Sequence, residues 1–232
     1  MIIMIPLKYN SRSFILDNLR GFTILLMFFF HFCFDLNNFG FIKVDILNGK
    51  FWYFLPRLIV FLFLFAVGIS LFISHGTHIS WKSFNTRLIK ISVCAIGISL
   101  LTYFIFPEHW IYFGTLHAIA VVSIMSLPFL RFPKFSLISA LILFIPSIFF
   151  NYNLPWFSLP HQSWDYISPF PWLGASLLGI FAAHRNIQNI PLPHNKVTSS
   201  LAYLGKHSLV IYLLHQPIFF SLTYFAYWIF NH

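Results

Sequence analysis

Four ionisable side chains interrupt the first long apolar segment, residues 16–35: Asp17, Arg20, His31 and Asp35. At 100° per residue, all four fall within about 60° of one another on a helix. Asp17 can pair with Arg20 and His31 can meet Asp35, because these spacings are i,i+3 and i,i+4. Arg20 and His31 are separated by roughly 16 Å of helix rise on that face. A stripe with a cation at one end and an imidazole at the other can bind the phosphates of a donor and present its far end to an acceptor.

These residues, and two further histidines, can also have a purely structural role. A buried Asp17–Arg20 pair can simply position its helix, and His31 can be hydrogen-bonded in the core. His117 is predicted to lie about two turns into the fourth apolar segment, at a depth similar to that of His31. His215 lies near the middle of the last apolar segment. Either histidine can act only as a link between helices, so both roles stay open.

Basic side chains around the start of the third apolar segment, residues 87–106, form a second candidate site. Lys82, Arg87 and Lys90 can hold anionic phosphates, although the same residues also suit anionic lipids. A loop at residues 151–168 carries side chains that suit either a lid over a sugar or an interfacial anchor: Trp156, His161, Trp164 and Asp165. The basic group therefore suggests donor contacts, and the loop suggests acceptor contacts.

The composition of the chain indicates which kind of fold must position these residues. Of the 232 residues, 59% are hydrophobic and 8% are charged, against about 45–50% and about 25% in soluble domains. This composition excludes a soluble globule, a disordered chain and a fibrous repeat. In a membrane protein the net charge of +9 is explained by Lys and Arg in the loops, which set the orientation in the membrane, rather than by nucleic-acid binding. Cys33 and Cys94 have no metal-binding spacing. The sequence therefore predicts a single all-α transmembrane domain over residues 1–232, without a metal.

Seven segments are apolar over nearly the length that a bilayer requires. They are residues 16–34, 52–74, 87–106, 112–130, 135–151, 169–185 and 205–229. Residues 1–21 do not show the order of features of a cleaved signal peptide, so the first segment is expected to be retained. The sequence thus predicts a bundle of about seven spans, with membrane lipids around it.

The basic residues between these segments are distributed unequally. The first, third and fifth connections and the C-terminus hold only Lys43 and Lys50. The N-terminus and the second, fourth and sixth connections hold ten Lys and Arg residues. The ten are Lys8, Arg12, Lys82, Arg87, Lys90, Arg131, Lys134, Arg185, Lys196 and Lys206. Because basic residues accumulate on the cytoplasmic side, we expect a cytoplasmic N-terminus and an outside C-terminus.

Four stretches of the chain resemble the bacterial members of the heparan-α-glucosaminide N-acetyltransferase catalytic-domain family. They read LDNLRGFTILLMFFFHFCFDLNNFG, FLFLFAVGISLFIS, FPEHWIYFGTLHAIAVVSIM and GKHSLVIYLLHQPI, in order from the first predicted span to the last. The family is similar in turn to membrane acyltransferases that decorate surface polysaccharides. In those proteins ten residues separate an Arg from a His on the first helix, and Arg20 and His31 match that spacing.

The resemblance implies a transferase that uses acetyl-CoA, with Arg20 in the donor channel and His31 at the acyl-transfer centre. It also implies that His215 matches a histidine that recurs in the family's last helix. The lysosomal enzyme differs, because it has Asn in place of His31 and a proposed active histidine in its first luminal loop. Here no His occurs between Phe32 and Ser74. The chain also lacks the luminal domain, so heparan sulfate is not the expected acceptor.

Together these observations predict an integral-membrane acetyltransferase of the bacterial inner membrane. It would move acetyl from cytoplasmic acetyl-CoA to an amino sugar or a sugar hydroxyl of an envelope glycan on the far side. Neutral His31, oriented by Asp35, is expected to be the general base, with a covalent acetyl-histidine as the alternative. A homodimer is left open. The rivals are an inactive assembly partner and a proton-coupled carrier that uses Asp17, Arg20, His31, His117 and His215.

Overall fold

The protein, described by a computed structural model over residues 13–46 and 48–231, is built from helices. No β-strand occurs within these two ranges. The described residues form eight α-helices: α1 (Phe14–Asn38), α2 (Lys50–His75), α3 (Trp81–Ile105), α4 (Thr115–Ser126), α5 (Pro133–Phe150), α6 (Pro169–His184), α7 (Lys196–Lys206) and α8 (Ser208–Asn231). The predicted all-α class is therefore confirmed.

Every predicted span coincides with a helix, but the lengths differ. Five helices, α1, α2, α3, α5 and α8, are long and apolar enough to cross a membrane. α6 has only 16 residues, and α4 is shorter still, because its last turn tightens into a 3-10 turn at Leu127–Phe129. The chain is thus a multi-pass membrane protein, whereas seven complete passes stay a prediction. Outward-facing Phe104, Phe149 and Phe230 are exposed, as expected of side chains that face lipid.

The short helix α7 was not predicted, since most of it lies before the last predicted span, residues 205–229. Its start is capped by Asn195, whose side chain accepts a hydrogen bond from the Thr198 amide at 2.9 Å. α7 then crosses α1 where Gly205 touches the Asp17 carbonyl and Gly21 touches the Leu201 carbonyl. A Cβ atom on either glycine would collide with the opposite backbone, so these two residues allow the close crossing.

Contacts along α1 and α8 show that the two helices run in the same direction. Phe28 packs against His215, and Phe39, just beyond α1, packs against Tyr224. Only His207 separates α7 from α8. The start of α1 and the end of α8 therefore lie at opposite ends of the bundle, as an odd number of passes requires.

The basic residues also sort by position in the bundle. Eight of the ten that were assigned to the cytoplasmic side are described, and they lie toward the end of the bundle where α1 begins. Lys8 and Arg12 lie outside the described residues. Which end faces the cytoplasm stays a prediction based on these charges.

Candidate active site

A cavity of about 820 Å³ lies between the start of α1, the second half of α2 and the first half of α3. α4 and α8 contribute its inner wall, through Leu116 and Tyr212. We call it the basic cavity, because it is lined by all five residues that were predicted to bind the donor: Asp17, Arg20, Lys82, Arg87 and Lys90. Its volume falls within the range of about 300–1,000 Å³ that is usual for small-molecule sites.

The charges of the basic cavity suit an anion that carries several negative charges. Four cations face one carboxylate, and the Arg20 Nη1 atom lies 3.6 Å from Asp17 Oδ1, as the i,i+3 spacing predicted. Arg87 donates a hydrogen bond from Nη1 to Ser70 Oγ at 3.0 Å, which holds its guanidinium between α2 and α3. Guanidinium groups with adjacent hydroxyls are suited to binding phosphate. The residues present therefore fit a donor with several phosphates, such as a coenzyme A thioester.

Two histidines from the two ends of the chain meet in the bundle. The rings of His31 and His215 lie 4.8 Å apart, centroid to centroid, at an angle of 66°. The Nδ1 atom of His215 donates to the Tyr212 carbonyl at 2.7 Å, because a carbonyl oxygen can only accept. Its Nε2 atom is buried and has no hydrogen-bond partner among the described residues. A neutral His215 therefore carries its proton on Nδ1 and a free lone pair on Nε2.

Asp35 does not bind His31, although their spacing allowed it. Its carboxylate is buried, with 2% of its surface exposed, and it accepts hydrogen bonds from Gln216 Nε2 at 3.0 and 3.3 Å. The expected orientation of His31 by Asp35 is therefore replaced by a link between α1 and α8. On α8, Gln216 follows His215 directly. Asp35 therefore contacts Gln216, and His31 contacts the neighbouring His215.

His117 occupies a different environment from the other two helical histidines. It lies in the first turn of α4, not two turns inside, where its Nδ1 accepts from the Gly114 amide at 3.1 Å. Its Nε2 lies 3.2 Å from Ser99 Oγ, which donates to the Ile111 carbonyl at 2.6 Å. Both ring nitrogens are thus occupied, and the hydrogen bonds described for His117 do not involve His31 or His215. This geometry favours the plainer interpretation of His117, as a link between α3 and α4.

Asp165 is the site residue whose contacts sequence reasoning missed. Its loop was predicted to be either a lid or an interfacial anchor, but Asp165 Oδ2 accepts from the Thr115 amide at 2.9 Å and lies 3.5 Å from the Tyr212 hydroxyl. Burial raises the pKa of Asp165, and hydrogen bonds from Thr115 oppose that shift. Gly114 lies so close that a Cβ there would be 2.6 Å from this carboxylate. A signal was present, since Asp165 is one of only five acidic residues in the chain.

The rest of loop 151–168 is tied to the segment before α4. His109 donates to the Gln162 carbonyl at 3.0 Å and stacks on Trp164, whereas His161 donates to the Trp110 carbonyl at 3.3 Å and stacks on Trp110. Each segment thus supplies one histidine to the other. Of the two tryptophans that were predicted to stack on a sugar, Trp164 is covered by the imidazole of His109, whereas Trp156 packs against Phe113 and Phe170.

Apolar helices that expose phenylalanine outward and enclose a basic cavity and a histidine pair define a multi-pass membrane protein with an internal polar site. A family model described as Heparan-alpha-glucosaminide N-acetyltransferase, catalytic, matches residues 12–217. The chain belongs to this family, and it is accordingly a membrane acyltransferase by descent. The match includes the basic cavity and ends just after His215 and Gln216. No curated protein and no solved structure matches the chain.

Proposed function

We propose that the protein transfers acetyl from acetyl-CoA, bound in the basic cavity, to an amino sugar or a sugar hydroxyl of an envelope glycan. The observation that carries the proposal is the convergence of cations from α1 and α3 on one cavity that reaches Tyr212. Tyr212 in turn contacts His215, with ring centroids 5.6 Å apart. A donor held by its phosphates at the basic end can therefore direct its thioester toward the histidine pair. We place the basic end in the cytoplasm of a bacterial inner membrane, because of the distribution of basic residues.

In this proposal the histidine pair accepts the proton that the acceptor loses. The acceptor nitrogen or oxygen attacks the thioester carbonyl as neutral His31 takes the proton, a C–N or C–O bond forms, and the C–S bond breaks. The proton then passes to the sulfur of the leaving thiolate. His215 keeps its Nδ1–H on the Tyr212 carbonyl and offers Nε2 as a second proton acceptor beside His31. Two adjacent imidazolium ions would repel each other, so the pair holds at most one positive charge at a time.

Acetyl transfer across a membrane tests the proposal directly. The protein is reconstituted in vesicles, with labelled acetyl-CoA outside and either glucosamine or N-acetylglucosamine inside. Label on glucosamine alone indicates N-acetylation, and label on both sugars indicates transfer to a hydroxyl. Binding of acetyl-CoA without transfer to either sugar, together with proton flux that the donor stimulates, would favour the carrier over the transferase.

Donor binding tests the cavity separately. Arg87→Ala is expected to weaken acetyl-CoA binding by about 10–150-fold, because a hydrogen bond to a charged group contributes about 1.5–3 kcal/mol. Lys134→Ala is the matched control, since Lys134 is exposed on α5 and does not line the cavity. Equal affinities of the two variants would contradict a donor site at Arg87.

A further inference from the structure

Tyr212 is the residue at which three parts of the molecule meet. Its side chain lines the basic cavity, and its ring packs edge-on against Phe63 of α2, with centroids 6.3 Å apart. Its carbonyl accepts the Nδ1 proton of His215. Its hydroxyl points to Asp165 in loop 151–168. Its ring also contacts the His215 ring, with centroids 5.6 Å apart, so a movement of this one side chain would change contacts in the cavity, at His215 and in the loop.

The contact between Tyr212 and Asp165 is longer than the other bonds of that carboxylate. The two oxygens lie 3.5 Å apart, whereas Asp165 Oδ2 is 2.9 Å from the Thr115 amide nitrogen and 3.1 Å from the Thr115 hydroxyl. O–H···O hydrogen bonds usually measure about 2.5–3.0 Å, so this contact is weak as it stands. Asp165 itself does not line the cavity and lies beyond the wall that Tyr212 and Leu116 form. A ligand that fills the inner end of the cavity would press Tyr212 away from the cavity and toward Asp165.

We propose that donor binding closes the Tyr212–Asp165 hydrogen bond and so tightens loop 151–168 against α4 and α8. The inference rests on the proposed function, because it requires a donor in the basic cavity. Tyr212 acts here as a positioning residue, since its hydroxyl acts on the loop and not on the reacting atoms. The loop is then held most firmly when a donor is present.

Backbone amides in and near the loop provide the readout. The Trp164 amide donates to the His109 carbonyl at 3.2 Å and the Ile167 amide to the Phe113 carbonyl at 3.0 Å, so both report on loop opening. Hydrogen exchange at these two amides is measured on the full-length protein in detergent, with and without saturating acetyl-CoA. We expect acetyl-CoA to slow exchange in the wild type by about two- to ten-fold, the range of one added hydrogen bond of typical net strength.

Tyr212→Phe tests the hydroxyl while keeping the ring. The variant is expected to bind acetyl-CoA, as measured by calorimetry, but to show no donor-dependent slowing at Trp164 and Ile167. Tyr203→Phe is the matched control, because Tyr203 is exposed on α7 and should behave as the wild type does. If Tyr212→Phe does not fold, Asp165→Asn weakens the same contact from the loop side and is expected to reduce the slowing.

Two results overturn the inference. One is wild-type protein that binds acetyl-CoA with unchanged or faster exchange at both amides. The other is Tyr212→Phe with the same donor-dependent slowing as the wild type. Wild-type protein that does not bind acetyl-CoA at all would remove the proposed donor and the coupling together, and calorimetry distinguishes that failure from a failure of the coupling alone.

Discussion

The α3–α4 junction and the α1–α8 junction each contain a buried or half-buried histidine, His117 and His215 respectively, but the two imidazole rings differ in their hydrogen bonding. At the first junction both imidazole nitrogens are occupied, by the Gly114 amide and the Ser99 hydroxyl. At the second, Nδ1 of His215 is fixed by the Tyr212 carbonyl and Nε2 has no partner among the described residues. A buried imidazole with both nitrogens occupied stabilises a structure. One with a fixed proton and a free lone pair is prepared to accept a proton.

If the proposed function is correct, this difference distinguishes a reactive histidine from a structural one in this bundle. Both His117 and His215 are helical histidines in apolar surroundings, and sequence spacing treats them alike. The distinction lies in whether a second hydrogen-bonding group approaches the ring. Substitutions at the two junctions should therefore separate loss of activity from loss of stability.

The largest effect is expected at His31. His31→Ala should reduce acetyl transfer by about 10²–10⁴-fold, the usual contribution of a general base, while acetyl-CoA affinity is nearly retained because the phosphates bind elsewhere. Transfer rates and binding isotherms on the same preparation provide the measurement. His31→Asn restores the residue type of the lysosomal relative without its loop histidine and should not rescue transfer. Full activity of His31→Ala would remove the base from this junction.

A second, smaller loss is expected at His215. His215→Ala should reduce transfer by about 10–10²-fold, below the full range for a base, because His31 remains while the adjacent lone pair is lost. The pH profile of the transfer rate should also change, which a packing defect alone would not cause. An unchanged pH profile with a lowered melting temperature would indicate that His215 only stabilises the bundle, as is expected of His117.

His117 should show the reverse pattern. His117→Ala removes one hydrogen bond to Ser99 of α3 and one to the Gly114 amide that caps α4, so the free energy of unfolding should fall by about 1–3 kcal/mol, while transfer per folded molecule stays within about three-fold of the wild type. Thermal melting and transfer assays check both parts. His207→Ala is the control, because His207 is exposed between α7 and α8. A large loss of transfer at unchanged stability would show that His117 takes part in the reaction.

The smallest effect concerns Asp165, which binds Thr115 at the start of α4. Because burial raises the pKa of Asp165, the native state keeps this proton to a higher pH than the unfolded chain does. Its contribution to stability is therefore present at low pH and is lost as pH rises from about 4, the usual aspartate value, through the raised pKa. Melting temperatures of the wild type and Asp165→Asn should diverge over this interval, with the wild type losing stability more steeply. Parallel curves would contradict a raised pKa.

The apolar helices and the basic residues that line the cavity could be predicted from the sequence, because both depend on local properties. Apolar length identifies the helix at each predicted span, and the clustering of Lys82, Arg87 and Lys90 within nine residues identifies one wall of the cavity. The Asp17–Arg20 pair follows from helical spacing alone. For these residues the decisive neighbours are close in sequence.

The remaining contacts depend on which distant residues meet. Asp35 meets Gln216 across 181 positions, and Asp165 meets Thr115 across 50. Helical spacing allowed an Asp35–His31 pair, but a primary amide on α8 offered the carboxylate two hydrogen bonds. α7 was missed for a related reason, because its stability comes from the Gly21–Gly205 crossing rather than from its own apolar length.

The contact between Asp35 and Gln216 has a consequence for how the chain is made. α1 leaves the ribosome before α8 does. At about 5–20 residues per second, the 181 intervening positions represent roughly 10–40 s of synthesis. During that interval Asp35 has been translated and its amide partner has not, so a carboxylate waits in or near the membrane without its native ligand. Membrane insertion of α1 must therefore tolerate an Asp35 carboxylate whose amide partner on α8 has not yet been synthesised.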